Sequence, residues 1–307
     1  LKKTLAASNP LPSATLSFSV GVPDPFGQGA ASKGPEGNAA GRAWSSYDFL
    51  TGRNGLGLQR MESHRASPKT RENLLRSLPV LPLQRTASLI PSNADTWISY
   101  SLGQAGVFGQ NQRRLTGKDN PNTELLESVE QISLLEADTS KILILHSLNT
   151  DQIEETLRPF RGEATEFQGV LIYPLEETTL LKDTFAPLLQ QAPPPRFYCS
   201  LEDASVFTAT LEALQELISH KNRKDTFDQT ATFKNLSPSL ASESGTLLIS
   251  KNPLASELLT DSLLPGGLSP ALLSRLPAGY SVGGQWTLED SYTLESIQFL
   301  NADLPGG

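Results

Sequence analysis

The feature that most constrains this fold is a series of short apolar stretches, each of strand length, separated by turn signals and short helical patterns. Residues Thr96–Leu102 alternate between apolar and polar types, which predicts a half-buried strand. The most hydrophobic stretch, Ile142–Leu145, lies within a predicted buried strand, Lys141–Ser147. A membrane-spanning helix needs roughly 20 apolar residues. The sequence therefore predicts no transmembrane segment.

Further strands follow from alternation and from turn residues. Asn54 and Gly55 lie between two apolar runs, Trp44–Leu50 and Leu56–Met61, and this arrangement is typical of a hairpin. A second hairpin is predicted near the end of the chain, with its turn at Asp290. The remaining predicted strands are Leu16–Val20, Glu130–Glu136, Phe167–Leu175, Arg196–Leu201 and Gly245–Ser250.

Helical patterns separate several of these strands. Ser67 and Pro68 predict a helix start, with Leu74, Leu75 and Leu78 on one face. The polar stretch from Gly103 to Thr123 has no predicted helix. The other predicted helices are Thr150–Leu157, Thr178–Gln190, a helix beginning at Asp203 and continuing through Ile218, and Pro253–Leu264.

These elements predict an α+β fold with antiparallel or mixed sheets and helices packed on one face, because strands occur both as hairpins and separated by helices. The 307 residues can form one large domain or two ordinary ones. Two prolines near Leu83 suggest a boundary there. We therefore predict an irregular, β-rich N-terminal segment over residues 1–83 and an α+β domain over residues 84–307.

Composition narrows the range of functions. The net charge of −8 disfavours binding to nucleic acid, because phosphate backbones are repelled. The single cysteine, Cys199, excludes an intramolecular disulfide and a multi-cysteine zinc site. The chain starts at Leu1 without an initiator methionine, so we expect a mature or trimmed fragment.

Nucleophilic catalysis requires a base, and the chain has three histidines: His64, His146 and His220. His146 is the best placed, at the end of a predicted buried strand. A structural histidine satisfied by loop carbonyls is the favoured interpretation. No Gly-x-Ser-x-Gly motif accompanies it.

A calcium loop is suggested by Asp119 and Asn120, since Glu130 then falls at the closing position. Pro121 stands at the third position, and Glu124 replaces the glycine that such a loop needs. The favoured interpretation is a solvated loop.

Two other kinds of site are also disfavoured. The glycines Gly103, Gly106 and Gly109 follow a strand, but Ala105 stands where a dinucleotide-binding loop needs glycine. Paired carboxylates at element ends, Glu202-Asp203 and Glu289-Asp290, are explained by capping and turn formation. We therefore predict no catalytic, cofactor-binding or metal-binding residue, and no cofactor.

Four stretches carry a resemblance to a known family: Leu89–Thr96, Ile142–Leu148, Phe197–Ile218 and Gly245–Asn252. Over roughly Ile90 to Pro253, the chain resembles an uncharacterised family of extracytoplasmic proteins and lipoproteins from the Bacteroidota. The resemblance implies an α+β fold and a cell-envelope location, either the periplasm or the outer-membrane surface. It implies no activity, because the shared motifs are structural.

The leading functional hypothesis is a non-enzymatic cell-envelope protein that provides a binding or assembly surface for protein partners. The alternative is a hydrolase that acts on glycans or peptides through dispersed carboxylates. Two carboxylates in a cleft, one with a raised pKa, favour the enzyme. A broad exposed apolar patch favours a binding protein.

Overall fold

Thirteen antiparallel strands form one sheet in the described part of the chain. The computed structural model describes residues 13–18, 45–51, 55–63, 71–103, 105–138, 140–147, 149–189, 192, 194–261, 263–264 and 279–301. The strand order across the sheet is β1-β2-β3-β13-β12-β11-β4-β5-β6-β10-β9-β8-β7. The α+β class is confirmed, and of the two predicted alternatives, antiparallel or mixed sheets, the described strands form the antiparallel one.

The bounds of the strands are β1 (Ser13–Phe18), β2 (Ser45–Thr51), β3 (Gly55–Ser63), β4 (Ala94–Ser101), β5 (Val129–Ala137), β6 (Ser140–Ser147), β7 (Thr165–Phe167), β8 (Val170–Pro174), β9 (Phe197–Leu201), β10 (Ala204–Thr208), β11 (Thr246–Ser250), β12 (Tyr280–Leu288) and β13 (Tyr292–Asn301). The described helices are α1 (Ala105–Thr116), α2 (Thr123–Ser128), α3 (Thr150–Leu157), α4 (Leu180–Thr184), α5 (Leu211–Asn222), α6 (Ala231–Leu236) and α7 (Glu257–Asp261). Two of the short 3-10 turns, Arg71–Leu75 and Leu83–Ser88, precede β4.

The alternation of side chains along each strand divides the core into two clusters, one on each face of the sheet. We call the face that carries Ile98 and Leu145 face A, and the face that carries Trp97 and Ile144 face B. All four side chains are fully buried.

One cross-strand row of face A shows how the sequence specifies the sheet. In register order from β2 to β8, its members are Phe49, Leu58, Ile297, Gly284, Leu248, Ile98, Leu134, Leu143, Phe207, Tyr198 and Tyr173. The exception to the large side chains is Gly284, where a Cβ would lie 2.4 Å from the indole of Trp286. The Trp286 ring therefore fills the space above Gly284.

Helices cover both faces of the middle of the sheet, whereas the sequence analysis expected one face. Helices α1, α2, α3, α4 and α7 contribute buried residues to the face A core, and α5 and α6 contribute to face B. The reason is visible in β6, where Ile142 to Leu145 are all buried. A strand that is apolar on both sides needs cover on both sides.

The largest difference from the predicted elements concerns the helix expected from Asp203. Residues Ala204–Thr208 instead form strand β10, paired on both sides and buried throughout. The helix begins only at Leu211, where the hydroxyl of Thr210 caps the backbone N–H of Ala213. Pairing of these residues with β6 and β9 thus outweighed the helical spacing of their apolar side chains.

Other elements differ in length or kind. The predicted strand Phe167–Leu175 divides into β7 and β8 around Gln168 and Gly169, which have φ of 50° and 82°. Positive φ at both positions is typical of a tight hairpin turn. The polar stretch after Gly103 contains helix α1. The predicted helix Thr178–Gln190 is reduced to α4, and Arg71–Leu75 forms a 3-10 turn in place of the longer predicted helix.

The strands of the first 83 residues belong to the same sheet as the rest. β2 and β3 form the predicted antiparallel hairpin, and β3 pairs with β13 from Gly55 to Ser63. The turn residue Asn54 lies outside the described residues. The division at residue 83 stays a prediction about folding units. Among the described helices, none is long and apolar enough to cross a membrane.

Candidate functional site

The residue that the sequence analysis singled out, His146, lies in a buried polar cluster on face B. Strand β6 alternates so that Ile142, Ile144 and His146 share this face. The 3-10 turn Leu83–Ser88 lies over it and contributes Thr86. We call His146, Thr86, Gln131, Ser133 and Ser99 the histidine cluster, and all five are buried.

Hydrogen bonds connect the cluster from one strand to the next. Thr86 Oγ1 lies 2.9 Å from His146 Nε2, and Gln131 Nε2 donates to Thr86 Oγ1 at 2.5 Å. The hydroxyls of Ser99 and Ser133 are 2.6 Å apart. Because Thr86 already accepts from Gln131, its proton is available to Nε2, which favours the neutral His146 tautomer with the proton on Nδ1.

Three charged side chains form the rim of the cluster. Arg85 donates to Glu130 at 3.0 Å and lies 4.0 Å from Asp203. Asp203 Oδ1 lies 3.5 Å from His146 Nδ1, a contact that does not have hydrogen-bond geometry. Asp203 reaches this position because it belongs to the tight turn between β9 and β10, where Glu202 has a φ of 56°.

Three buried polar atoms at this site have no hydrogen-bond partner among the residues that the structure describes. They are His146 Nδ1, Gln131 Oε1 and Arg85 Nε. A buried polar atom without a partner costs about 1–3 kcal/mol. The cluster is thus less than fully satisfied by its own side chains.

Burial lowers the pKa of His146 to about 4, and the nearby guanidinium of Arg85 acts in the same direction. The carboxylate of Asp203 raises this pKa, but at 3.5 Å and without good geometry it does not offset the loss of hydration. His146 is therefore neutral near pH 7.

Thr86, His146 and Asp203 place a hydroxyl, an imidazole and a carboxylate in sequence. A nucleophile, a base and the acid that orients the base have the same arrangement in a catalytic triad. Thr86 is fully buried, however, and lies beneath its own 3-10 turn. A substrate carbonyl cannot reach its hydroxyl without displacement of that turn. The geometry suits a structural role, in which Thr86 fixes the turn to the sheet. His146 is hydrogen-bonded to the Thr86 hydroxyl and lies 3.5 Å from the Asp203 carboxylate, whereas the sequence predicted loop carbonyls as its partners.

The residues of the considered calcium loop have other partners. Asp119 pairs with Arg113 at 3.1 Å, and Asn120 donates to Gln112 at 2.7 Å. Glu130 belongs to the rim of the histidine cluster. Within the described ranges, no group of three or more His, Cys, Asp or Glu side chains is placed to hold a metal ion.

The three glycines after β4 do not form a common loop. Gly103 has a φ of 54°, and a Cβ there would lie 2.1 Å from Pro79 Cγ. Gly106 and Gly109 are within helix α1. Glycine is thus required at 103 for the backbone turn and its close approach to Pro79.

The carboxylates considered for hydrolysis lie apart, at two hairpin turns. Asp203 faces the histidine cluster, whereas Asp290 accepts a hydrogen bond from Ser77 at 2.6 Å. Elsewhere on the surface, the pKa of the Asp225 carboxyl is lowered by a hydrogen bond from Ser92 and by the neighbouring His220. A lowered pKa is the direction expected of an ion-paired carboxylate, not of a general acid.

The aromatic and thiol candidates lie in the core. Trp97 and Trp286 are fully buried, and their indole N–H groups donate to Ser99 and Glu295. Trp44 lies outside the described residues. Cys199 is fully buried, which raises the pKa of its thiol to about 12.

A second polar network, which was not predicted from the sequence, joins α1 to α4. Gln112 donates to the carbonyl of Thr184 at 3.1 Å, and Asn120 donates to the same carbonyl at 2.7 Å. Asn122 donates to the Thr184 hydroxyl at 3.0 Å. The concentration of asparagine and glutamine in this stretch was the available signal, because amides can satisfy backbone groups that helix ends leave unpaired.

Comparison with known proteins does not assign a family. No protein-family model matches the chain, and no curated protein matches its sequence. Among solved structures, crystal form I of TP0453, a Treponema protein, is similar at 12% identity and a TM-score of 0.40, covering 75% of this chain and 82% of that chain. Crystal form III of the same protein gives 11% identity and a TM-score of 0.40, covering 75% and 83%. This degree of similarity is too low to assign a function.

Proposed function

We propose that this chain is a non-enzymatic protein of the cell envelope that provides a surface for binding or assembly with protein partners. The envelope location is supported by the sequence resemblance carried by Leu89–Thr96 and Ile142–Leu148. The binding role is supported by a feature of face A, described next.

The observation that carries the binding role is that the apolar row of face A continues to the outer strands. Its central members, such as Ile98 and Leu248, are fully buried. Phe49 on β2 and Leu58 on β3 are half-buried, and Leu56 beside them is 43% exposed. We call Phe49, Leu56 and Leu58 the outer apolar patch. A contiguous apolar surface that is partly accessible to solvent is a feature of interaction sites.

Site-specific photo-crosslinking tests this proposal. A photoreactive amino acid at Leu56, in cells of the native organism, should give a covalent adduct with an envelope protein, identified by mass spectrometry. The matched control is Leu171, which is 50% exposed on β8 near the opposite end of the sheet. Leu58→Ser should reduce the Leu56 adduct, because it makes the patch polar.

Two results would count against the proposal. Equal adducts from Leu56 and Leu171, or none from either, would remove the support for a specific surface. Recovery of the protein in the cytoplasmic fraction would contradict the envelope location.

A further inference from the structure

The segment that covers the histidine cluster, residues 81–90, is fixed by backbone hydrogen bonds at its two ends. Leu81 exchanges a pair of backbone hydrogen bonds with Ser244, and the carbonyl of Ile90 accepts one from Phe227. Between these two points, the backbone hydrogen bonds that the structure describes lie within the segment itself. We call residues 81–90 the strap. The middle of the strap is therefore held to the sheet by side chains.

The side chains that hold the strap are of two kinds. Leu83 and Ala87 are buried in the face B core. Three others make polar contacts, namely Gln84 with the Ala241 carbonyl, Arg85 with Glu130, and Thr86 with His146 and Gln131. Among these partners, His146 is the one that gains a charge when the pH falls below neutral.

A proton on His146 disrupts the contact with Thr86. In the neutral ring, Nε2 accepts from the Thr86 hydroxyl at 2.9 Å, and that hydroxyl accepts from Gln131. Once Nε2 carries a proton it is a donor, so two donors converge on one hydroxyl oxygen. The Thr86 proton is then left with Ser133 Oγ, at the longer distance of 3.3 Å.

The described charged groups around His146 also link its charge to the strap. Arg85, on the strap, opposes a positive charge on the imidazole. Asp203 lies 3.5 Å from the imidazole and attracts that charge, but it also lies 4.0 Å from Arg85. Glu130 of β5 is paired with Arg85, and Glu202 is paired with a lysine of α5. Movement of the strap away from the sheet separates the two positive charges and admits water to the imidazolium.

We propose that the strap is an acid-sensitive device, in which a proton on His146 releases the middle of the strap from face B while Leu81 and Ile90 act as hinges. In the released form, Thr86 and Arg85 leave the imidazolium, and water takes their place. The strap lies on face B and the outer apolar patch lies on face A, so this inference does not rest on the proposed function.

Thiol accessibility tests the release. Ala87→Cys places a thiol beneath the strap, because Ala87 is 1% exposed. The native Cys199, fully buried on β9, reports unfolding of the whole sheet in the same molecule. A dithiodipyridine reagent labels accessible thiols at acidic pH, and peptide mass spectrometry separates the two positions. Ser88→Cys is the matched control, since Ser88 is exposed on the same turn and reports the reagent's own pH dependence.

The expected result is selective labelling beneath the strap. The pKa of His146 is about 4 with the strap closed, and hydration returns it toward 6.5. Labelling of Ala87→Cys, relative to Ser88→Cys, should therefore rise about 20-fold from about pH 7 to pH 5. Cys199 should stay unlabelled over this range.

Three variants in the Ala87→Cys background identify the group that takes up the proton. His146→Gln should abolish the rise, because an amide does not protonate. His220→Gln should retain it, since this histidine is paired with Asp225 and is not part of the histidine cluster. Asp203→Asn should move the rise to lower pH, because the carboxylate raises the pKa of His146.

Hydrogen exchange of the unsubstituted chain gives a second measurement that needs no new thiol. A short turn detached from the sheet does not keep its own hydrogen bonds. The amides of Arg85 and Leu89, which bond within the strap, should lose protection on acidification, after correction for intrinsic rates, while that of Leu248 in β11 should not.

Three results would overturn the proposal. The first is labelling of Ala87→Cys that does not rise with acid, together with unchanged protection of the strap amides. The second is parallel labelling of Ala87→Cys and Cys199, which is unfolding of the whole sheet. The third is a rise that persists in His146→Gln, because another group then controls the release.

Discussion

Acidification should destabilise this protein through His146, and the size of the effect follows from its environment. Burial lowers the pKa of His146 from 6.5 to about 4. As pH falls below 6.5, the unfolded chain binds a proton at this imidazole while the folded chain does not. The free energy of unfolding therefore falls between about pH 6.5 and pH 4.

The magnitude follows from the size of the shift. One pKa unit corresponds to about 1.36 kcal/mol, so the full shift of His146 is worth about 3 kcal/mol. The side chain of His146 is 2% exposed, so solvent screening does not reduce this figure much. Below about pH 4 both states are protonated at this site, and its contribution to the pH dependence ends.

The assay is urea unfolding at about pH 7 and pH 4, for the wild type and for His146→Gln. Carboxylates also titrate over this range, but those other than Asp203, which lies 3.5 Å from His146, keep the same surroundings in both proteins and cancel in the comparison. The glutamine amide can still bond to Thr86 and cannot take up a proton. We expect the wild type to lose about 3 kcal/mol more stability than His146→Gln.

The matched control is His220→Gln, which removes the other described histidine and leaves the histidine cluster unchanged. It should retain the loss of stability that His146 causes. If the wild type and His146→Gln lost the same stability, within about 0.5 kcal/mol, the assignment of the acid sensitivity to His146 would be refuted.

Two further predictions concern backbone and thiol. Gly103→Ala should destabilise the protein by more than about 1 kcal/mol, since its φ is 54° and a Cβ would contact Pro79. Gly106→Ala should stabilise it by about 0.5–1 kcal/mol, because a Cβ at this α1 position meets no atom within 4 Å. Urea unfolding measures the stability of both variants, and an equal change in the two would contradict these expectations. Cys199 should not react with a thiol reagent in the folded state and should react fully in urea, because the thiol is fully buried and burial raises its pKa to about 12; rapid labelling of the folded protein would contradict this.

Prediction from sequence succeeded where the information was local. The alternation in Thr96–Leu102 and the turn signal at Asp290 identified a central strand and a terminal hairpin. It failed at Ala204–Thr208, where helical spacing of apolar residues competed with pairing to β6 and β9. That pairing joins residues distant in sequence, and no local pattern reports it.

The candidate site shows the same division. The sequence identified His146 as a buried histidine at the end of a strand, because its position in β6 is a local property. Only the tertiary structure brought Thr86 and Asp203 to the two sides of its ring. The pKa of His146 depends on these neighbours and on the loss of water around them, so it could not be predicted from the histidine's own segment.

The sequence by itself determined the class of the fold, through strand-length apolar runs, turn residues and short helical patterns. The tertiary structure decided the strand order, in which β3 pairs with β13 and so joins an early strand to the last described one. It also decided that helices cover both faces. Both outcomes depend on burying apolar area between segments that are far apart in the chain. A local sequence pattern shows that an element has an apolar face to bury, but it does not show which distant segment will cover that face.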